Sequence, residues 1–182
     1  MYLISAYFDE NTNKILKHLQ QRIADKTGND FMIRNNVMPH LTISAIEARN
    51  IDVLIPEFEK VCRGKLQPLE EKSVANNTIN IVSLGQLFPR VIYAAPVLNE
   101  YMMNLSISIY NEFATIPETN ISKFYQPYSG MPLITLGYCL DKEQMRQAFA
   151  VLQDLFMPID GRITKIGLST VNPYREVMSV AL

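Results

Sequence analysis

Apolar residues along this chain recur in two rhythms, and the switches between them mark out its elements. Tyr2 to Phe8 is a run of aromatic and branched residues, which predicts a strand. After Asp9 the period lengthens. Ile15, Leu16, Leu19 and Ile23 recur at three- and four-residue steps, predicting a helix that Gly28 ends. A strand over 40–45 follows, with Pro39 at its mouth. A second helix is expected over 51–63, with Val53, Leu54, Phe58 and Val61 as its inner stripe. Pro56 should kink it or delay its start, because proline lacks the donor for an intrahelical bond. Thr78 to Leu84 reads as a strand again.

The second half replays this order. Arg90 to Ala95 predicts a strand, and Leu98, Met102, Leu105, Ile109 and Phe113 predict a helix. Pro117 and a loop to Gly130 lead to a strand over 133–138. Asp141 with Gln144 three residues on forms a capping box for a helix over 142–157. Strands over 162–171 and 176–182 close the chain, with Asn172-Pro173-Tyr174 as their turn. Each half is thus strand–helix–strand–helix–strand. The expectation is an α+β fold: one domain over 1–182, made of two similar lobes near 1–88 and 89–182 that are free to exchange strands.

A repeated phrase supports the duplication. Pro39-His40-Leu41-Thr42-Ile43 returns as Pro132-Leu133-Ile134-Thr135-Leu136, an offset of 93 residues (132 minus 39). Residues two apart on a strand share a face, so His40, Thr42 and Ser44 should point one way and Leu41 and Ile43 the other. In the second copy Leu133, Thr135 and Gly137 should share the corresponding face. Two such faces across a groove would offer a phosphate the hydroxyls of Thr42 and Thr135 and one imidazole. Histidine, with an ordinary pKa of about 6.5, suits acid–base work at neutral pH. A lone strand histidine also serves simply as a structural group; the repeated context favours the groove.

Composition narrows the function classes. The chain has 182 residues, 48% hydrophobic and 19% charged, with a net charge of −1. That near-balance argues against tight grip on long nucleic acid, which needs many phosphate contacts, but leaves room for a small nucleotide. Cys62 and Cys139 form no metal-ligand spacing and read as reduced thiols. No apolar run approaches 18 residues, so no membrane partner is expected. With no leader at Met1, the expected location is cytoplasmic, and the Asn-x-Ser/Thr triplets at Asn76, Asn104 and Asn120 are read as chance.

The two Pro-x-aliphatic-Thr-aliphatic phrases, the near-symmetric halves and the Asn-Pro-Tyr turn resemble the 2H phosphoesterase superfamily, nearest its bacterial 2′-5′ RNA ligase-like and cyclic phosphodiesterase branch. The resemblance covers nearly the whole chain. It implies a bilobal, pseudo-twofold fold with two antiparallel sheets around a central cleft and helices outside. It implies two His-x-Thr/Ser motifs acting as general base and general acid on 2′,3′-cyclic or 2′-5′ phosphodiester bonds, with no metal or other cofactor. His40 matches the first histidine, and Thr42 and Thr135 match the phosphate-binding hydroxyls. Leu133 stands where the second histidine should be.

Leucine cannot donate, accept or titrate, and losing a positioned acid or base costs roughly 10²- to 10⁴-fold in rate. The first expectation is therefore a half-degenerate site that binds a nucleotide, cyclic nucleotide or RNA end with weak or no catalysis. The second is a working 2′,3′-cyclic nucleotide phosphodiesterase in which His40 acts with a substitute donor; Tyr125, Tyr128, Tyr138 and Lys123 lie near the motif in sequence. A third is a non-catalytic protein-interaction module. Lys165, Arg90 and Arg175 are further cations that the sequence does not aim.

Overall fold

The computed structural model describes residues 1–64 and 77–182; Asn76 lies outside them. The chain runs β1 (Tyr2–Phe8), α1 (Glu10–Thr27), α2 (Phe31–Arg34), β2 (Leu41–Glu47), α3 (Ile55–Gly64), β3 (Thr78–Leu87), β4 (Val91–Pro96), α4 (Glu100–Phe113), β5 (Asn120–Ile121), β6 (Ile134–Gly137), α5 (Lys142–Leu155), β7 (Ile159–Thr170) and β8 (Arg175–Ala181). The helices begin where the side chains can satisfy orphan amides. Asp9 accepts from the Thr12 amide, Asn99 from Met102, and Asp141 with Gln144 completes the expected capping box. Gly28 ends α1 in the left-handed region at φ 71°, its amide bonded to Ala24 O. Pro56 delays its helix: a 3₁₀ turn over Ile51–Val53 comes first, and the proline then sits in the first turn of α3, where it breaks no hydrogen bond.

The strands form one connected, wholly antiparallel eight-stranded sheet in the order β1-β2-β6-β4-β3-β7-β8, with β5 on β2. Because β7 also pairs with β1, the links β1–β2–β6–β4–β3–β7–β1 close into a ring. β7 is long enough to serve three partners, with Ile159 to Arg162 on β3, Ile163 to Thr170 on β1 and Lys165 to Thr170 on β8. Pairings therefore cross the middle of the chain freely: β7 bonds to β1 and β3, and β3 to β4. The core fills one face of this sheet. There α1 packs on α5 and β6, and α4 packs on β2 and α3, around fully buried Ile4, Leu16, Ile23, Phe58, Phe113 and Ile134.

Two register shifts set which side chains leave that core. In β1–β2, Ser5 pairs with Thr42 but Ile4 with Ser44, so Ile43 is the extra residue. In β4–β6, Tyr93 pairs with Thr135 but Ile92 with Gly137, so Leu136 is the extra residue. These bulges fall one position after each threonine, 93 residues apart (136 minus 43). A bulge resets the alternation beyond it. Ser44 therefore stands opposite buried Ile4 rather than beside His40 and Thr42, and its hydroxyl is buried without a protein partner. Gly137 likewise faces the core, where a β-carbon would lie 3.0 Å from Ile92 and 3.5 Å from Ile23. The expected runs 40-42-44 and 133-135-137 are each cut short after the threonine.

Asp9 ties α1 to β7: one carboxylate oxygen takes the Thr12 amide at 2.9 Å, the other the Thr12 hydroxyl at 2.7 Å and the Arg162 amide at 2.7 Å. Burial pushes this carboxyl up, but the Thr12 and Arg162 bonds outweigh it, and the net pKa lies below the ordinary value. A depressed carboxylate contributes stability above its unfolded pKa and loses it as pH falls through the folded one. Asp9→Ala is expected to cost about 1–2 kcal/mol at pH 7. In urea melts, the gap from wild type should close as pH drops below about 3.9.

Candidate functional site

β2 and β6 lie side by side, paired at Leu41↔Ile134. Continuing this antiparallel register by one residue in each direction puts His40 across from Thr135 and Thr42 across from Leu133. Directly opposed residues share a face, so the register carried that far would put all four on the side away from buried Leu41 and Ile134, with His40 and Leu133 each one residue before its strand begins. Thr42 and Thr135 are then diagonal neighbours, with β-carbons roughly 7–8 Å apart. Among the described residues neither threonine hydroxyl has a hydrogen-bond partner. The structure brings the two phrases side by side at this one pair, with the four positions singled out in the sequence flanking it along the chain.

His40 is fixed from three sides. Its Nδ1 lies 2.7 Å from Met38 O. A carbonyl only accepts, so Nδ1 carries the proton and the Nε2 lone pair is left for a ligand. The ring stacks on Tyr174 at 5.5 Å between centroids and 15° between planes, and leans on Tyr7 at 6.1 Å. The two phenols share a hydrogen bond of 2.7 Å. Burial, the dominant cause, holds both tyrosine pKa values above the ordinary phenol range. Burial also pushes His40 below the ordinary imidazole value, against the opposing pull of Met38 O. The imidazole is therefore neutral at pH 7, poised to accept a proton or to take one up beside an anion.

Sequence reasoning missed Tyr7 and Tyr174 as site residues. Their only signal was position: Tyr7 is two residues beyond Ser5, the partner of Thr42, and Tyr174 closes the Asn-Pro-Tyr turn that folds back from β7. Lys165 is the one unaimed cation that reaches this region. Its Nζ lies 4.6 Å from the Tyr7 ring centre and 2.9 Å from Glu176. Arg90 instead bonds to Cys139 O, and Arg175 is exposed at the start of β8.

No protein-family model matches the chain, and no curated protein matches it in sequence.

Two cavities flank the patch. On the His40 side, an open cleft of about 640 Å³ is lined by Tyr7, Met38 and Tyr174 together with Lys14, Lys17 and Lys165 and the carboxylates Glu10 and Glu176. On the Thr42 side lies a cavity of about 310 Å³ between β2, α4 and the loop at 125–132. Tyr125 and Tyr128 belong to this second wall. Tyr125 is held above the ordinary phenol pKa by burial. Tyr138 packs on Phe31 at 5.0 Å, and Lys123 lies over Phe124, so neither is drawn to the patch by these contacts. Among the described residues no group of three or more His, Cys, Asp or Glu could hold a metal ion, and no helix is long and apolar enough to cross a membrane.

Because the folded imidazole binds a proton less readily than the unfolded one, His40 should lower stability as pH falls through about 6.5, where the unfolded ring protonates first. Nitrogen-15 NMR should show His40 protonated at Nδ1 at pH 7 and titrating below the ordinary value. A ring that is fully cationic at pH 7 would contradict the geometry.

Proposed function

We propose that this is a 2H phosphoesterase-like protein of the 2′-5′ RNA ligase-like branch with half its acid–base pair lost, which binds a small phosphorylated ligand in the cytoplasm with little or no hydrolysis. The ligand class is a nucleotide, a cyclic nucleotide or an RNA end. Its two lobes, about 1–88 and 89–182, each supply one strand of the phosphate patch. The observation that carries this is the Leu41↔Ile134 pairing, which gathers His40, Thr42, Leu133 and Thr135 on one face. Matching bulges after the two threonines add support, since a repeated unit produces them at the same offset as the phrase.

Chemically, the threonine hydroxyls would donate to phosphate oxygens, and Nε2 of His40 would meet a third. An anion placed there favours the imidazolium, so binding draws in a proton. Leu133 supplies neither donor nor proton to the opposite side. A leaving alkoxide there would depart unassisted, a loss of roughly 10²- to 10⁴-fold in rate, about 3–5 kcal/mol of barrier.

Calorimetric titration with 2′,3′-cyclic AMP tests binding directly, because that diester keeps one negative charge from pH 5 to 8. Affinity should rise as pH falls toward the lowered His40 pKa, and His40→Ala should abolish the dependence. Thr42→Val and Thr135→Val should each weaken binding by about 10- to 150-fold, one hydrogen bond to a charged group apiece. Absence of heat with any cyclic nucleotide would refute the proposal.

Catalysis is a separate measurement. Wild type and His40→Ala should give indistinguishable background with 2′,3′-cyclic nucleotides, and Leu133→His should raise turnover measurably. Wild-type turnover that His40→Ala abolishes would instead establish a working phosphodiesterase with another proton donor.

A further inference from the structure

The cavity beside Thr42 is chemically unlike the rest of the patch. It lies where β2 and the segment before β6 part, and Thr42 forms part of its wall. The remainder is dominated by apolar groups, among them Met102, Met103, Tyr125 and Met131. Ser106, Gln126 and the phenols of Tyr125 and Tyr128 are its other uncharged polar groups, and the Gln126 amide already donates to Ile121 O at 3.4 Å. At about 310 Å³ it matches the smaller ligand pockets. Met131 and Pro132 in its wall lead directly into Leu133, which the strand register sets across from Thr42. The side of the patch that lacks an imidazole therefore continues into an apolar hollow.

A nucleobase carries several donors and acceptors around its edge, and each left unpaired in such a hollow costs affinity. A hydrocarbon ring or short chain carries none. Flexible methionines also adapt their shape to such a group. Resting on the phosphate-binding proposal above, we infer that this cavity is the subsite for an apolar substituent, so that the phosphorylated ligand carries an aryl or alkyl group on the Thr42 side of its phosphate.

Calorimetry on the wild-type protein with 1-naphthyl phosphate, inorganic phosphate and adenosine 2′-monophosphate tests this. The expected result is that 1-naphthyl phosphate binds about tenfold or more tightly than either comparator, from burial of its rings. Ser106→Phe, which fills the cavity, and Met103→Gln, which keeps the side-chain length while adding an amide, should each erase that preference and leave inorganic phosphate unchanged. Either variant suffices if the other fails to fold. Parity among the three ligands, a tighter nucleotide, or a preference that survives both variants overturns the inference while leaving phosphate binding intact. If none of the three binds, the phosphate reading itself falls and the subsite with it.

Discussion

One strand contact organises this protein. Among the described residues the pairing of Leu41 with Ile134 is the one β2–β6 register position, yet it completes the ring of strands and sets the two copies of the repeated phrase side by side. The contact has apolar side chains at 0–1% exposure on its inner side, so it is secured by the core rather than by a long ladder of hydrogen bonds. Because side chains alternate on a strand, burying Leu41 and Ile134 obliges their neighbours to point outward. The polar patch is the reverse side of a hydrophobic anchor.

The bulges at Ile43 and Leu136 limit that patch to one step on each strand. Each turns the next residue, Ser44 or Gly137, back toward the core. The Thr42 side borders a hollow between β2, α4 and the loop at 125–132. The His40 side closes differently, through the aromatic stack of Tyr174 and its bond to Tyr7. One motif thus borders two surroundings, a lysine-lined cleft and an apolar cavity.

Electrostatics favour transient rather than permanent charge in the patch. His40 is partly shielded, and its one resolved polar contact is with a carbonyl. No carboxylate among its ring contacts holds it cationic; the nearby Glu176 is engaged with Lys165 and Ser179. A neutral imidazole and two uncommitted hydroxyls leave the surface without an anion uncharged at that point, while the lysines across the cleft remain.

Much of this was legible in the chain. Periodicity located the four long helices among the described residues and the strands around them because an amphipathic stripe is a local property: Leu16, Leu19 and Ile23 must share a face wherever the helix goes. Asp141 and Gln144 announced a helix start for the same reason. The offset of 93 residues brought His40, Thr42, Leu133 and Thr135 to attention without any coordinates. What could not be read were features that depend on a partner distant in sequence. Strand alternation alone put Ser44 and Gly137 on the wrong face, since a bulge exists only relative to the opposite strand. Tyr174 and Tyr7 reach His40 from chain positions far apart, and the apolar hollow belongs jointly to β2, α4 and a loop. The sequence by itself determined which residues carry chemistry, because identity and local period are written in it. Only the tertiary structure decided which of them touch and what surrounds them, because register and closure are set by long-range pairing.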